Sequence, residues 1–300
     1  MDSDLTITYL KDNCELLLRV DRGTAGWLWI YRRMPSDGAG ERRIISLLNR
    51  GRVAPENIRI RVLLFPPEVL TLALYLPTDL DPNAMRRAVC SQILPGLPYP
   101  DAYDLQTLRL SSTFIDGNQL VIASVLGKAI IPGIRRILNE LVPQVCFVGD
   151  GLQFLKLGSS QQNDSGMQTY QVVLRRGDRF FIAGFQGGCH TSSCSLSHAT
   201  QQMFASTTLQ AQQSFANLRS QRELLEAPTI QTLPDSPAWR KIDLPRHAFP
   251  VWYLTQGALN NTEALNHVPS LAENHTAWKR RQNSARTGAA ANQHRIPFTA

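Results

Sequence analysis

The chain has no apolar run long enough to span a bilayer. A spanning helix needs about 20 largely uncharged residues, and the most apolar segment, RVLLFPPEVLTLALYLP, is broken by Pro66, Pro67 and Glu68. As it stands, the sequence is read as not crossing a membrane. Cysteine is scarce: Cys14, Cys90, Cys146, Cys189 and Cys194 make an odd number spread over 300 positions, and no signal peptide is read ahead of them. That excludes a disulfide framework and fits reduced thiols in a cytosol. Cys189 and Cys194 stand near His190 and His198, but the spacing C-H-x3-C-x3-H is that of no compact zinc site, and they are read as loop residues. The stretch HTSSCSLSH lacks the G-x-S-x-G elbow that lifts a nucleophile, and its histidines are too close in sequence to imply a triad, which argues against a hydrolase.

Acidic residues are also few. Twenty-four of them face 31 lysines and arginines, a net charge of +7 that favours contact with nucleic acid, an anionic leaflet or an acidic protein. Lys279, Arg280, Arg281, Arg286 and Arg295 place five of these cations in the last 22 positions, so part of the excess belongs to a tail or to a segment lying near a membrane. Hydrophobic residues at 43% and charged residues at 18% exclude wholesale disorder. The length exceeds the usual ~100 to 200 residues of one domain and predicts two compact units.

What is present alternates strands with helices. ELLLRV (15–20) and GWLWIYRR (26–33) predict a hairpin around Asp21, Gly23 and Thr24. RRIISLLNRG predicts a short helix with Ile44, Ile45, Leu47 and Leu48 on one side, ending at Gly51. IRIRVLLF (58–65) and EVLTLALYLP (68–77) predict two central strands joined across the prolines. Asp81 as N-cap and Pro82 at the first helical position open a helix with Met85, Val89 and Ile93 on one face. A strand, the Asp-Gly turn of IDGNQ and LVIASVLG predict a second hairpin. KAIIPGIRRILNELVP predicts a helix from Pro132, QVCFVGD a buried strand, and GLQFLKL one helical turn. Polar SSQQNDSG (159–166) marks a boundary. Beyond it, TYQVVLRRGDRFFIAGF predicts another hairpin, 196–226 a long helix, 228–250 an extended connection, and the chain from 261 a polar tail.

This repeated plan predicts an α/β (α+β) chain with mixed sheets flanked by helices, in two lobes: residues 1–158, a reduced second lobe at 159–260, and a basic polar tail at 261–300. Its coarse signature is that of the actin-like, ribonuclease H-like fold in degenerate form. Asp21, Gly23 and Thr24 spell D-x-G-T, the phosphate-holding turn of that class. A working site needs a second acidic turn from the other lobe, and the hairpin taken to correspond, RRGDRFF, carries Asp178 after its glycine. The turn is therefore read as backbone chemistry, with Asp21, Gly23 and Thr24 kept as cofactor-binding residues only under an ATP-binding alternative.

The run from RVLLFPPEVLTLALYLP through LPYPDAYDL to VIASVLGKAIIPGIRRILNELVPQVCFVGDGLQFL resembles the cytoplasmic region of the type II secretion L component, the GspL family. The related pilus protein PilM shares the run. VWYLTQGAL (251–259) resembles the Leu-x-Gln-Gly segment that closes the GspL region. The resemblance implies a non-enzymatic inner-membrane platform adaptor without cofactor or metal, cytoplasmic and peripheral to the bacterial inner membrane. It implies recruitment of the E-family secretion ATPase, association with the M component, and a homodimer. The alternative is an ATP-binding PilM-like protein that grips the cytoplasmic tail of a membrane partner. Arg86, Arg87, Arg135 and Arg136 are the candidate partner-binding residues, as pairs on two helices. An anionic membrane surface would meet the basic tail. Nucleic-acid binding, which would use Arg32, Arg33, Arg42 and Arg43 with Trp27, Trp29 and Tyr31, is set aside because alternating strand aromatics more often pack a core or an interface.

Overall fold

The computed structural model describes residues 3–10, 13–35, 40–54, 57–78, 80–93, 100–115, 117–135, 145–157, 169–177, 179–197, 227–261 and 265–268. In chain order the strands are β1 (Ser3–Leu10), β2 (Asn13–Asp21), β3 (Trp27–Pro35), β4 (Ile58–Leu64), β5 (Val69–Leu76), β6 (Tyr103–Ile115), β7 (Asn118–Gly127), β8 (Val145–Asp150), β9 (Thr169–Arg176), β10 (Arg179–Gln186), β11 (Cys189–Ser197) and β12 (Thr229–Ile230). The helices named here are α1 (Gly40–Gly51), α2 (Pro82–Ile93) and α3 (Phe249–Asn260).

The first sheet has the order β3-β2-β1-β4-β8, antiparallel through β1, β2 and β3 and parallel through β1, β4 and β8. A parallel step needs a crossover, and α1 supplies the one from β3 to β4. Period-two alternation sorts the side chains. Leu5, Ile7, Leu16, Leu18, Ile58, Ile60, Val62 and Val148 face α1 and the helical stretch 131–135, joining Ile44, Leu47, Leu48, Ile131 and Ile134 in one core. Ile45, expected on the same side of α1, is 43% exposed instead. The other face of the sheet carries Asp4, Leu17 and Leu63 and is overlain in part by α3, with Leu17 packed against Val251 and Trp252.

Between β4 and β8 the chain inserts a three-stranded sheet, β5-β7-β6, whose core of Leu72, Leu74, Leu108, Val121 and Val125 is closed by Val89 of α2. Asp81 caps α2 as expected, its Oδ1 accepting the N–H groups of Asn83 and Ala84 at 2.8 Å each. The strands predicted as a central pair across the prolines thus divide. β4 is central in one sheet, while β5 edges another.

The second lobe repeats the hairpin plan in the order β11-β10-β9-β12, with β12 parallel to β9. The repeat aligns β1 and β2 with β9 and β10. The counterpart of the Gly177 turn is therefore the β1–β2 connection at residues 11 and 12. The Asp21 turn, joining β2 to β3, matches the Gly187–Gly188 turn. The long helix predicted at 196–226 and the boundary at 159–166 lie outside the described residues.

Candidate functional site

In open α/β sheets, ligands bind beyond the carboxyl ends of parallel strands. Here the carboxyl ends of the two lobes face each other and are packed together. Leu10, Leu63 and Phe65, where β1 and β4 end, share a cluster with Leu174 and Phe181 from the β9–β10 hairpin. The rings of Phe65 and Phe181 meet edge to face at 4.9 Å between centroids. Such a pair adds about 1 kcal/mol beyond its buried area. Beside it, Arg176 of β9 donates to Glu15 of β2, and the same carboxylate oxygen accepts the Tyr31 hydroxyl at 2.7 Å. Arg176 also donates to the His247 carbonyl at 2.8 Å. An ion pair and an apolar cluster therefore join the lobes.

Asp21, Gly23 and Thr24 lie at the opposite, amino edge of the first sheet, since Asp21 pairs with Trp27 and its neighbour Val20 with Ser3. The Asp21 carboxylate accepts the N–H of Gly23 at 2.8 Å, and Gly23 and Gly26 take φ of 61° and 80°, a region that favours glycine. The structure does not bring this turn together with the Gly177 hairpin, and Asp178 lies outside the described residues. Trp29 and Tyr31 pack beneath the C-terminal segment with Trp239, Ile242 and Trp252. Trp27 stays 46% exposed.

The arginine pairs separate in the same way. Arg86 and Arg87 are both exposed, but Arg86 donates to the carbonyls of Leu105 and Leu108 at 2.8 and 3.2 Å, tying α2 to β6. Arg135 is half-buried, and Arg136 lies outside the described residues. Cys189, His190 and Cys194, read as loop residues, stand on β11. Pairing with β10 and packing against β5 hold that Ser/Thr-rich stretch extended. Among the described residues no group of His, Cys, Asp and Glu is placed to hold a metal ion.

Two buried polar side chains escaped the sequence reading. Asp150, 1% exposed at the end of β8, accepts the N–H of Leu152 at 2.9 Å and the hydroxyl of Thr71 at 2.7 Å. His267, fully buried, has Nδ1 2.7 Å from the Thr107 carbonyl, so that nitrogen carries the proton and Nε2 accepts the Ser124 hydroxyl at 3.1 Å. Burial lowers its pKa to about 4 despite the carbonyl, leaving it neutral at pH 7. His267 N–H also donates to the Val148 carbonyl at 2.9 Å, and the Asn266 side chain bonds Cys146 and Val148, so Leu265–Val268 straps the open edge of β8 to the inserted sheet. Gly149 makes room, because a Cβ there would lie 2.8 Å from the Leu265 carbonyl oxygen. Asp150 closes the apolar run QVCFVGD and His267 falls in the stretch read as a polar tail, so neither was singled out.

The Gln-Gly pair of VWYLTQGAL has a packing reason. A Cβ at Gly257 would lie 2.7 Å from the Phe154 carbonyl oxygen, so glycine lets α3 close onto the turn 151–155. Between that turn, β6 and the β10–β11 hairpin opens a groove of about 780 Å³, lined by Ser111, Thr113, Lys156, His190 and Asn260. Its hydroxyls, amides and ammonium suit binding by hydrogen bonds.

No protein-family model matches the chain, and no curated protein matches it. Solved structures do. The chain is similar to the cytoplasmic domain of EpsL, an inner-membrane component of the type II secretion system of Vibrio cholerae, at 13% identity over 89% of this chain and 98% of that one, with a TM-score of 0.50. It is similar to the PilM–PilN type IV pilus biogenesis complex at 9% identity over 89% and 98%, with a TM-score of 0.54. The resemblance read from the order of elements is met by these structures, and the chain has the two-lobed actin-like fold in the form that they share.

Proposed function

We propose that this chain is a non-enzymatic adaptor of the inner-membrane platform of a type II secretion or type IV pilus machine. It recruits the assembly ATPase and associates with the M component and with a second copy of itself. The observation that carries the reading is the filled seam. The space beyond the carboxyl ends of both lobes, where this architecture offers a ligand cleft, holds Phe65, Phe181 and the Glu15–Arg176 pair. What remains for function is surface, which acts through shape and charge complementarity. The chain works beside a membrane, although no helix among the described residues is long and apolar enough to cross one.

The test has two arms. Co-expressed with an E-family secretion ATPase, the chain co-purifies in a salt-sensitive complex. Mg-ATP leaves its thermal midpoint in place, because a ligand that does not bind the native state cannot stabilise it. A clear Mg-ATP shift without ATPase capture overturns the adaptor in favour of the ATP-binding PilM-like alternative.

A further inference from the structure

The groove between β6, the turn 151–155 and the β10–β11 hairpin, at about 780 Å³, falls in the size range of small-molecule sites. Among the described residues that line it, Lys156 carries the only full charge, and no carboxylate is present. Its ammonium lies against the hairpin turn, where a Cβ on Gly188 would come within 3.2 Å of Nζ, and it makes no ion pair among the described residues. An ammonium in the wall of a groove without an acid attracts an anion.

His190 of β11 lines the same groove, its side chain 7% exposed. The ring bonds to the Ser192 backbone in a way that favours the proton, so one ring nitrogen donates to the carbonyl there. Nε2 has no hydrogen-bond partner, so the donor is Nδ1, and Nε2 is left as a buried acceptor. Asp150 Oδ2, 4.0 Å away, is an acceptor itself and cannot satisfy it. Burial outweighs that carboxylate and keeps the imidazole neutral at pH 7. The hydroxyls of Ser111, Ser112 and Thr113 join the lining from β6.

We propose that this groove binds a small hydroxylated carboxylate of the size of a sugar acid, its carboxylate on Lys156 and a hydroxyl donating to His190 Nε2. A single ammonium balances one carboxylate, whereas a phosphate dianion would keep half its charge and is better met by guanidinium forks. A ligand hydroxyl both donates and accepts, which suits the bare Nε2 and the serine and threonine hydroxyls alike. An acid without hydroxyls would leave Nε2 unsatisfied, and an uncharged sugar would leave the ammonium unused. Such a site is independent of the adaptor role, because a bound acid neither requires nor excludes a partner protein.

Calorimetric titration of the full chain tests this with four probes. Gluconate carries both features, hexanoate keeps the carboxylate without hydroxyls, glucose keeps the hydroxyls without the charge, and glucose 6-phosphate replaces the carboxylate by a phosphate. Gluconate binds more tightly than the other three. Lys156→Gln, at an exposed position, weakens gluconate about tenfold through the lost bond to a charged group and keeps the thermal midpoint. His190→Phe removes the acceptor and keeps a flat ring beside Phe185, and it narrows the preference for gluconate over hexanoate by roughly fivefold. A merely structural role for His190 would lower both affinities together. Should His190→Phe fail to fold, Lys156→Gln and the four probes decide alone. The proposal is overturned if gluconate does not bind, if hexanoate or glucose binds as well, if Lys156→Gln leaves gluconate affinity unchanged, or if folded His190→Phe keeps the full preference. Binding of glucose 6-phosphate as tight as that of gluconate overturns it too, because the groove then reads a phosphate.

Discussion

Arg176 at the end of β9 donates to Glu15 on β2 and ties the second lobe to the first where their parallel strands end. Glu15 is fully buried and Arg176 is 13% exposed. Removing one partner of a buried pair leaves the other charge uncompensated and costs about 3 to 5 kcal/mol. Glu15→Ala and Arg176→Ala each lower the unfolding free energy by an amount in that range. Glu15→Leu with Arg176→Met recovers part of the loss, because it removes both charges together but takes a partner from the Tyr31 hydroxyl and from the His247 carbonyl. Urea unfolding of the single and double variants measures the difference.

Much of this seam was illegible in sequence for a specific reason. Asp4, Thr6 and Thr8 give β1 a polar alternate face, so its N-terminal stretch lacked the dense apolar run that marked β2, β4 and β7. Without β1 the D-R-G-T turn looked like the first hairpin of the lobe, when it is the second. Capping was legible, because Asp81 and Pro82 act within one turn. The order of elements was legible because apolar periodicity is local. The Glu15–Arg176 pair spans 161 residues, and no local pattern points to it.

His267 makes stability depend on pH. Its folded pKa, about 4, lies below the ordinary 6.5, so the unfolded chain takes up a proton first as pH falls. Stability is intact above pH 6.5 and drops as pH descends towards 4, by about 1.4 kcal/mol per unit, or about 3 kcal/mol across the window. Buried His190, also shifted down by burial, adds a slope of the same sign. His267→Gln removes only the first contribution, and unfolding curves at pH 7 and pH 5 lie closer together in the variant than in the wild type.

Two helical glycines respond in opposite directions. Glycine in a helix interior usually costs up to about 1 kcal/mol relative to alanine. A Cβ on Gly133 meets nothing within 4 Å, so Gly133→Ala raises the thermal midpoint. At Gly257 the Cβ would press on the Phe154 backbone at 2.7 Å, and overpacking of this kind costs about 1 to 3 kcal/mol. Gly257→Ala lowers the midpoint, and the pair of variants reports whether α3 is seated on the turn 151–155.

Neighbouring arginines on α2 give a sharper test of the protein-binding surface. Arg86 is committed to the carbonyls of Leu105 and Leu108, so Arg86→Ala weakens the inserted sheet by about 1 kcal/mol and affects partners only through that loss. Arg87, one residue on, is exposed, and its attraction to the Asp81 carboxylate acts across solvent, so changing it costs the fold little. If the ATPase docks by charge on this face, Arg87→Glu slows association at low salt at an unchanged midpoint, and added salt narrows the gap from wild type, as screening requires. Association rates measured by surface capture across a salt series read this directly. Equal rates for Arg87→Glu and wild type at low salt would move the docking surface off α2.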